Sequence, residues 1–320
     1  MSHRERDAAV HRGNPVTRRI TNVAASVHAR LLQRAKAEGR PFNELLQYFA
    51  MERFLYRLSR SQQPERFVLK GGLMLQLWGG PLTRATKDID LLGNTATSVS
   101  DLVAVVRNCC DVAVEDDGLT FDPETIRGAE LRLHSNYSGA RARCSARLGN
   151  ARVALQVDVG FGDVITPGPQ SIAYPTLLDF AAPQLLAYTP ETSIAEKLEA
   201  LVTLDMANTR MKDFLDIWVL ARGRDFSGAV LARAIGATFH RRGTPLPTST
   251  PAGLTRAFYG ATAKQAQWRA YVRKARVEGS VPDLEEAAAQ IQAFAMPAVS
   301  SLVAGAPFDS HWLPGGPWTR

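Results

Sequence analysis

Residues 67–93, FVLKGGLMLQLWGGPLTRATKDIDLLG, decide the fold. The apolar run Phe67-Val68-Leu69 is typical of a short strand, and it ends at Gly71-Gly72, where a helical pattern, LMLQLW, begins. After Gly79-Gly80-Pro81 the chain returns to a strand-like pattern, TKDIDLLG. A strand, a double-glycine turn, a helix and a second strand predict the beginning of a mixed α/β core.

The sequence Asp88-Ile89-Asp90 places two carboxylates two residues apart. Such residues in a strand point to the same face, so both carboxylates leave one face while Ile89 enters the core. The two charges repel each other unless a cation lies between them, and oxygen ligands suit Mg²⁺ or Mn²⁺. The alternative is a solvated surface pair, which is what most D-x-D sequences form.

A third carboxylate comes from RVALQVDVGF, residues 152–161. Apolar and polar residues alternate there, which predicts a strand with Asp158 on its polar face. Three carboxylates that meet at one point are what a two-metal site for in-line phosphoryl or nucleotidyl displacement requires. We therefore expect Asp88, Asp90 and Asp158 to hold Mg²⁺ or Mn²⁺, with the first two as catalytic residues.

Three further elements are candidates for binding a phosphate chain. Gly71 and Gly72 follow a strand and open a helix, so their backbone N–H groups can approach a phosphate closely, although a turn without a ligand is the alternative. Arg84 either contacts phosphate or lies in a solvated loop. Lys197 borders the apolar stripe of a helix that begins near Pro190, where its ammonium either reaches a triphosphate or pairs with neighbouring glutamates.

The segment RMKDFLDIWVL places Asp213 and Asp216 three residues apart on one face of a helix. A pair of acids on an otherwise apolar helix usually anchors a basic residue, here Lys197 or Arg210. We expect Asp213 to orient that residue beside the reacting groups and Asp216 to be mainly structural.

The chain of 320 residues divides into three parts. Residues 1–65 predict a helical N-terminal segment, residues 66–224 an α/β (α+β) core with a mixed sheet, and residues 225–320 a mostly helical region with a Pro/Gly tail. Inside the core, residues 99–116 predict a helix that leads into a strand, DVAVE.

The net charge of +7 is unevenly distributed along the chain. Residues 1–65 carry 12 Lys/Arg against 6 Asp/Glu, residues 66–221 carry 14 against 19, and residues 222–320 carry 12 against 6, which gives +6, −5 and +6. An acidic centre between basic flanks suits a cation site that also holds a polyanion. Ordinary surface variation is the alternative.

Basic and aromatic residues interleave in QWRAYVRKAR, residues 267–276. This pattern predicts an RNA contact through Arg269, Arg273 and Lys274, with base stacking on Trp268 and Tyr271. The alternative is the charged face of an amphipathic helix.

The composition excludes several classes of protein. Hydrophobic residues make up 45% and charged residues 22% of the chain, as in ordinary globular proteins. No apolar run approaches the roughly 18 residues that span a bilayer, and the polar start MSHRERDAAVHRGNP differs from a signal peptide, so we expect a cytoplasmic protein. Three cysteines without C-x-x-C spacing give no support for a structural zinc site.

Taken together, the motifs FVLKGGLMLQLW, RATKDIDLLG, LQVDVGFGD, SIAEKLEAL and RMKDFLDIW resemble the AbiEii/MenT family of nucleotidyltransferase toxins, in their residues and in their order. The resemblance covers about residues 20–225. It implies a polymerase-β-like nucleotidyltransferase core, with Gly71-Gly72 and Asp88/Asp90 in its first motif. It also implies that Lys197 is the NTP-binding lysine and Asp213 the later acid of the family, and that both are catalytic residues together with Asp88 and Asp90.

Two features depart from the family pattern. Gly72 is followed by Leu73 where the family often has serine, so no hydroxyl is available there to hold phosphate. The 15 residues between Gly72 and Asp88 are also a longer spacing than in many nucleotidyltransferases.

The resemblance implies a toxin of a type IV toxin–antitoxin system that transfers NMP from NTP to RNA, for some members the 3′ end of tRNA, and so blocks translation. A cognate antitoxin is the implied protein partner. The residues leave two other functions open, a catalytically inactive module that binds NTP or RNA and a small-molecule nucleotidyltransferase. Three intact, mutually repelling carboxylates argue against the first, and the basic flanks argue against the second.

Overall fold

The computed structural model describes residues 22–78, 85–95, 98–134, 137–275 and 281–320. Within these residues the chain folds around a mixed sheet, with helices before the sheet in sequence, between its strands and after it. The predicted mixed α/β class, with helical N-terminal and C-terminal parts, is confirmed. No helix among the described residues is both long enough and apolar enough to cross a membrane.

The large sheet of the described chain has seven strands. They are β1 (Phe67–Lys70), β2 (Ile89–Gly93), β3 (Leu119–His134), β4 (Tyr137–Leu148), β5 (Ala151–Phe161), β6 (Gln170–Ala173) and β7 (Gln184–Ala187). Their order is β3-β4-β5-β2-β1-β7-β6. β2 is parallel to β5 and antiparallel to β1, whereas β3, β4 and β5 form an antiparallel meander. The strand with the D-x-D sequence therefore lies in the centre of the sheet.

The helices of the described chain surround this sheet. They are α1 (Val23–Ala37), α2 (Phe42–Ser59), α3 (Met74–Trp78), α4 (Val99–Asp111), α5 (Pro190–Leu204), α6 (Met211–Gly223), α7 (Gly228–Arg242), α8 (Arg256–Tyr259), α9 (Thr262–Ala275) and α10 (Leu284–Val303). As predicted from its sequence, α5 has Pro190 in its first turn, and the Thr189 side chain accepts a hydrogen bond from a backbone N–H of that turn.

Helix α2 packs the N-terminal part of the chain onto the sheet. It contacts β5 and β7 as well as α1 and α4. Leu45 and Phe49, one turn apart, are fully buried, and the burial of each such side chain stabilises the fold by about 1.5–3 kcal/mol. Arg53 and Arg57 are also buried, and each pairs with the buried Asp117, at N–O distances of 3.0 and 2.6 Å. These ion pairs supply the partner that a buried charge requires.

Two predictions about local structure are wrong. The segment DVAVE forms no strand, because α4 ends at Asp111 and its half-buried valines lie in an irregular connection before β3. The C-terminal tail is not a plain Pro/Gly tail, because β8 (Phe226–Ser227), β9 (His311–Trp312) and β10 (Trp318–Thr319) form a small antiparallel sheet. The rings of Trp312 and Trp318 pack on Phe294 of α10, with centroids 5.0 and 5.7 Å away. Tertiary burial of aromatic rings thus orders a segment that local propensity assigns to coil.

Candidate functional site

Three carboxylates, which we call the carboxylate triad, converge on one face of β2 and β5. Asp88 lies directly before β2, and Asp90 of β2 is the register partner of Asp158 of β5. One oxygen from each side chain lies within 4.8 Å of an oxygen of the other two. Parallel pairing of the two strands therefore brings together acids that are 68 residues or more apart in sequence.

The loop before β2 is held by helix α2. The backbone N–H of Thr86 donates a hydrogen bond to the hydroxyl of Tyr48 at 3.0 Å, and the Thr86 hydroxyl donates to Asp88 Oδ1 at 3.0 Å. Gln47 of α2 donates to the backbone carbonyls of Lys87 at 3.3 Å and of β5 at 3.0 Å. The N-terminal helical part thus positions the first carboxylate, a role that the sequence did not indicate.

Asp90 lies in an electrostatically unfavourable position for a carboxylate. Burial and the charge of Asp88 raise its pKa to about 6, and Asp158 adds to this effect, while Lys212 and Lys70 oppose it. A raised pKa means that the negative charge is insufficiently compensated in the absence of a cation.

Asp158 has a different environment from the other two acids of the triad. Arg141 of β4 donates from Nε to Oδ1 and from Nη2 to Oδ2, both at 2.7 Å, and Gln156 donates to Oδ2 at 3.2 Å. The hydrogen bonds to Asp158 raise the pKa of Arg141, and the charges of Asp88 and Asp90 add to the rise. Arg141 is therefore near the whole triad, and no sequence pattern indicated this position.

The double glycine lies against the triad. Gly71 begins a 3-10 turn, Gly71–Leu73, between β1 and α3, and its φ is +74°. A Cβ atom at this position would lie 2.1 Å from Asp90 Oδ2. Only glycine fits, for both the positive φ and the close approach. Gly72 lines the same cleft as the triad.

Lys197 of α5 is buried between two acids of α6. Its Nζ lies 2.7 Å from Asp216 Oδ2 and 3.3 Å from Asp213 Oδ1. Arg210 lies 2.6 Å from the other oxygen of Asp213. The structure thus has the predicted contact between the pair of acids and both basic residues. Arg84, predicted as a phosphate contact, lies outside the described residues.

A second charged cluster lies beside the triad and consists of Lys70, Asp163, Glu196, Glu199 and Arg242. We call it the five-residue network. Lys70 Nζ is 2.9 Å from both Asp163 and Glu196. Arg242 is 3.0 Å from Asp163, 3.4 Å from Glu196 and 2.8 Å from Glu199. Burial raises the pKa of Asp163, but the charges of Lys70 and Arg242 outweigh this effect and hold it at about 2.

The five-residue network was not predicted from the sequence. Its residues come from the end of β1, the segment after β5, and helices α5 and α7. Two of them adjoin predicted site residues, because Lys70 directly precedes Gly71 and Glu196 directly precedes Lys197. The position of Lys70 and Glu196 beside predicted site residues is the sequence signal that could have identified these two members of the network.

Both clusters line one cleft of about 450 Å³. The triad, the double glycine, Lys197 and the five-residue network all contribute to its wall, together with Arg141 and the exposed Lys212. The cleft therefore combines hard oxygen ligands for a divalent cation with several positive side chains for an anionic ligand.

Residues 267–275 of the predicted RNA-contact segment lie in helix α9, outside the residues that line the cleft. Arg269, Arg273 and Lys274 are exposed. Trp268 is buried, and its indole N–H donates to the Pro282 carbonyl at 3.0 Å. The expectation that Trp268 stacks with bases is therefore wrong, because its ring packs inside the protein.

The side chains of the triad fit a divalent cation. Their ligand atoms are carboxylate oxygens only, they approach one another within 4.8 Å, and the raised pKa of Asp90 shows uncompensated negative charge. Such a donor set suits Mg²⁺ or Mn²⁺ rather than a metal that prefers sulfur or nitrogen.

Comparison with known proteins gives a family and several structural likenesses. Residues 53–290 match the profile of the family described as nucleotidyl transferase AbiEii toxin, type IV TA system, and no curated protein matches the chain. MenT4, a nucleotidyltransferase toxin from Mycobacterium tuberculosis H37Rv, is 19% identical, with a TM-score of 0.47 over 88% of this chain and 99% of that chain. Two structures from Helicobacter pylori, one of them JHP933, are each 16% identical, with TM-scores of 0.45 and 0.44. These two cover 82% and 88% of this chain and 96% and 94% of their own.

The family profile spans well over half of the 320 residues. The span includes the double glycine, the triad, Lys197 and both acids of α6. The chain therefore belongs to the AbiEii family of nucleotidyltransferase toxins of type IV toxin–antitoxin systems.

Proposed function

We propose that this nucleotidyltransferase toxin transfers NMP from an NTP to an RNA acceptor, the 3′ end of tRNA, in a reaction that needs a divalent cation and blocks translation. One observation carries the proposal. Asp88, Asp90 and Asp158 bring their carboxylate oxygens within 4.8 Å of one another in a cleft that also presents positive side chains.

In this proposal, Asp88, Asp90 and Asp158 hold Mg²⁺ or Mn²⁺. The cation, when bound, supplies Lewis-acid polarisation of the phosphate and orients the reacting oxygens. Thr86 keeps Asp88 in place through the hydrogen bond to Oδ1 at 3.0 Å, and Gly71 allows Asp90 to approach the double-glycine turn.

The triphosphate is bound by Gly71, Gly72, Arg84 and Lys197 in this proposal. The backbone N–H groups of the double glycine and the ammonium of Lys197 stabilise the charge that develops on the leaving pyrophosphate. Asp213, with Asp216, orients Lys197 toward the cleft, because its ammonium is held by both acids of α6.

The reaction forms a bond between the acceptor oxygen and the α-phosphorus and breaks the bond from that phosphorus to the bridging oxygen of the pyrophosphate. Pyrophosphate leaves, and the acceptor hydroxyl proton passes to solvent. The residues of the cleft bind and orient the two reactants, so that the acceptor oxygen attacks in line.

RNA is the proposed acceptor because basic parts flank the acidic core. We propose a nucleotidyltransferase core at residues 66–224. It lies between a helical N-terminal segment at 1–65, with a net charge of +6, and a helical C-terminal region at 225–320, with a net charge of +4 from 10 Lys/Arg against 6 Asp/Glu. Arg269, Arg273 and Lys274 form an exposed basic row on α9 and would contact the RNA backbone. An RNA acceptor would place the reaction in the cytoplasm.

Membership of a type IV toxin family implies an antitoxin and an NTP substrate. The type IV description concerns the family, and we propose by extension that a cognate antitoxin counteracts this chain.

The test is transfer of label from each α-³²P-NTP to total RNA in the presence of Mg²⁺ or Mn²⁺. We expect labelled RNA of tRNA size with the wild-type protein, and a loss on the order of a thousandfold in Asp90→Ala. Asp179→Ala is the matched control, because it removes an exposed carboxylate that does not line the cleft.

Three results would overturn the proposal. Undiminished transfer in Asp90→Ala would remove the triad from the reaction. NTP binding without release of pyrophosphate in any RNA mixture would instead indicate an inactive binding module. Label on a small molecule, unaffected by an excess of tRNA, would indicate a small-molecule nucleotidyltransferase.

A further inference from the structure

Arg141 of β4 forms a fork on Asp158. The two residues are register partners on neighbouring strands, and Nε and Nη2 each donate to a different carboxylate oxygen at 2.7 Å. The Arg141 side chain is 27% exposed and lines the cleft. This geometry is the bidentate pairing that guanidinium also makes with phosphate.

Hydrogen bonds occupy most of the lone-pair sites through which Asp158 could bind a cation. An ionised carboxylate has about four lone-pair sites. Arg141 takes one on each oxygen, and Gln156 takes a second on Oδ2 at 3.2 Å. A divalent cation must therefore compete with Arg141 for this ligand.

The positive charge of Arg141 also opposes the binding of a cation. The guanidinium lies close enough to interact with Asp88 and Asp90 as well as with Asp158, so a divalent cation bound among the three would be repelled by it. Among the described residues, Lys70, Lys197 and Arg242 each contact two or more carboxylates outside the triad. Arg141, in contrast, forms its ion pair with Asp158, which belongs to the triad.

We propose that Arg141 is a resident counter-cation of the triad, which opposes metal binding while the cleft is empty and moves to the triphosphate when NTP enters. The inference rests on the proposed function of the same cleft. NTP and metal then bind in a coupled manner, because the anionic phosphates draw the guanidinium from Asp158 and free a ligand.

The first test measures Mn²⁺ binding by electron paramagnetic resonance, without nucleotide or RNA. We expect Arg141→Gln to bind Mn²⁺ about tenfold more tightly than the wild type, because a competing positive charge is removed. The matched control is Arg143→Gln, two residues along the same face of β4, where Arg143 donates to Gln156 at 2.9 Å instead of to a triad acid. We expect the control to change the affinity less than twofold.

The second test measures binding of inorganic tripolyphosphate in EDTA by calorimetry. We expect Arg141→Gln to bind it about tenfold more weakly than Arg143→Gln does, because the fork that receives the phosphate is missing. A variant with a damaged fold would bind both ligands more weakly. Tighter Mn²⁺ binding together with weaker tripolyphosphate binding can therefore only come from the loss of the counter-cation.

The outcomes separate this inference from the proposed function. Weaker or unchanged Mn²⁺ binding in Arg141→Gln, in a wild type that does bind Mn²⁺, overturns the role of Arg141 and leaves the metal site in place. Unchanged tripolyphosphate affinity in Arg141→Gln overturns the transfer of the guanidinium to phosphate. If neither wild type nor variant binds Mn²⁺, the metal site itself is overturned.

Discussion

The cleft contains two clusters with three carboxylates each, and they differ in how their charge is compensated. The triad of Asp88, Asp90 and Asp158 has Arg141 as its ion-pair partner among the described residues. The three acids of the five-residue network share Lys70 and Arg242. The ratio of cations to carboxylates is therefore one to three in the first cluster and two to three in the second.

The pKa values follow this difference. Burial and neighbouring acids raise the pKa of Asp90 to about 6, whereas Lys70 and Arg242 overcome burial and hold the pKa of Asp163 at about 2. A buried ion-pair network whose charges are nearly balanced connects elements of the fold. A cluster of carboxylates with too few cations to balance it is suited to a further cation that the protein does not itself provide. Two clusters of similar composition thus shift the pKa of an aspartate in opposite directions.

The largest expected effect is on stability, in the five-residue network. Asp163→Asn leaves Lys70 and Arg242 with one carboxylate fewer in a buried site, and we expect a loss of about 3 kcal/mol in the free energy of unfolding at pH 7. Urea denaturation followed by circular dichroism measures it. The depressed pKa of Asp163 sets the pH range of this effect. The stabilisation by the Asp163 carboxylate is present above about pH 4 and is lost as the pH falls through about 2.

The control for Asp163→Asn is Glu124→Gln. Glu124 pairs with Arg107 at 3.2 Å, but both side chains are exposed, so we expect a change within about 0.5 kcal/mol. Equal losses in the two variants would contradict the view that the network stabilises the fold.

An intermediate effect is expected at Gly71, which connects the two clusters in sequence and space. Gly71→Ala introduces a side chain at a φ of +74°, with its Cβ 2.1 Å from Asp90 Oδ2, and we expect a loss of about 2 kcal/mol in the free energy of unfolding. Because Asp90 must move, Mn²⁺ should also bind at least severalfold more weakly in a titration followed by electron paramagnetic resonance.

Gly149→Ala separates backbone strain from the contact with Asp90. Gly149 also has a positive φ, +57°, but an added Cβ has no neighbouring atom within 4 Å. This variant should be destabilised by about 1 kcal/mol and should bind Mn²⁺ like the wild type. Unaltered Mn²⁺ binding in Gly71→Ala would show that the close approach to Asp90 does not matter for the triad.

The difference between the clusters also explains what the sequence could predict. The triad was found because its chemistry appears locally, as two acids with the period of a strand and a third on the polar face of an alternating strand. The parallel pairing of β2 with β5 then completes it. The contact of Lys197 with the acids of α6 could be predicted for the same reason, since all three residues lie on strongly periodic helices.

The five-residue network could not be predicted, because its pairs depend on tertiary packing. Arg242 and Asp163 are 79 residues apart, and nothing in either local sequence selects the other. Arg141 was missed in the same way, because an arginine on the polar face of an alternating strand is usually a solvated residue. The short strands β6, β7, β9 and β10 are also invisible to periodicity, since two to four residues are too few to show an alternation.

The smallest expected effect is a gain of stability in the triad, and it tests the comparison most directly. Asp90→Asn removes an undercompensated charge, so the metal-free variant in EDTA should be more stable than the wild type at pH 8, by about 1–2 kcal/mol.

The pH dependence follows from the raised pKa of Asp90. Stability from the protonated carboxyl is fully present below its unfolded pKa, near 3.8, and is lost as the pH rises through about 6. The advantage of Asp90→Asn should therefore be near zero at pH 4, grow between pH 4 and 6, and be constant above about pH 7 in urea denaturation. Asp163→Asn should show the opposite sign at pH 8. If Asp90→Asn is instead less stable than the wild type at pH 8, the Asp90 charge is already compensated within the protein, and the electrostatic contrast between the two clusters does not exist.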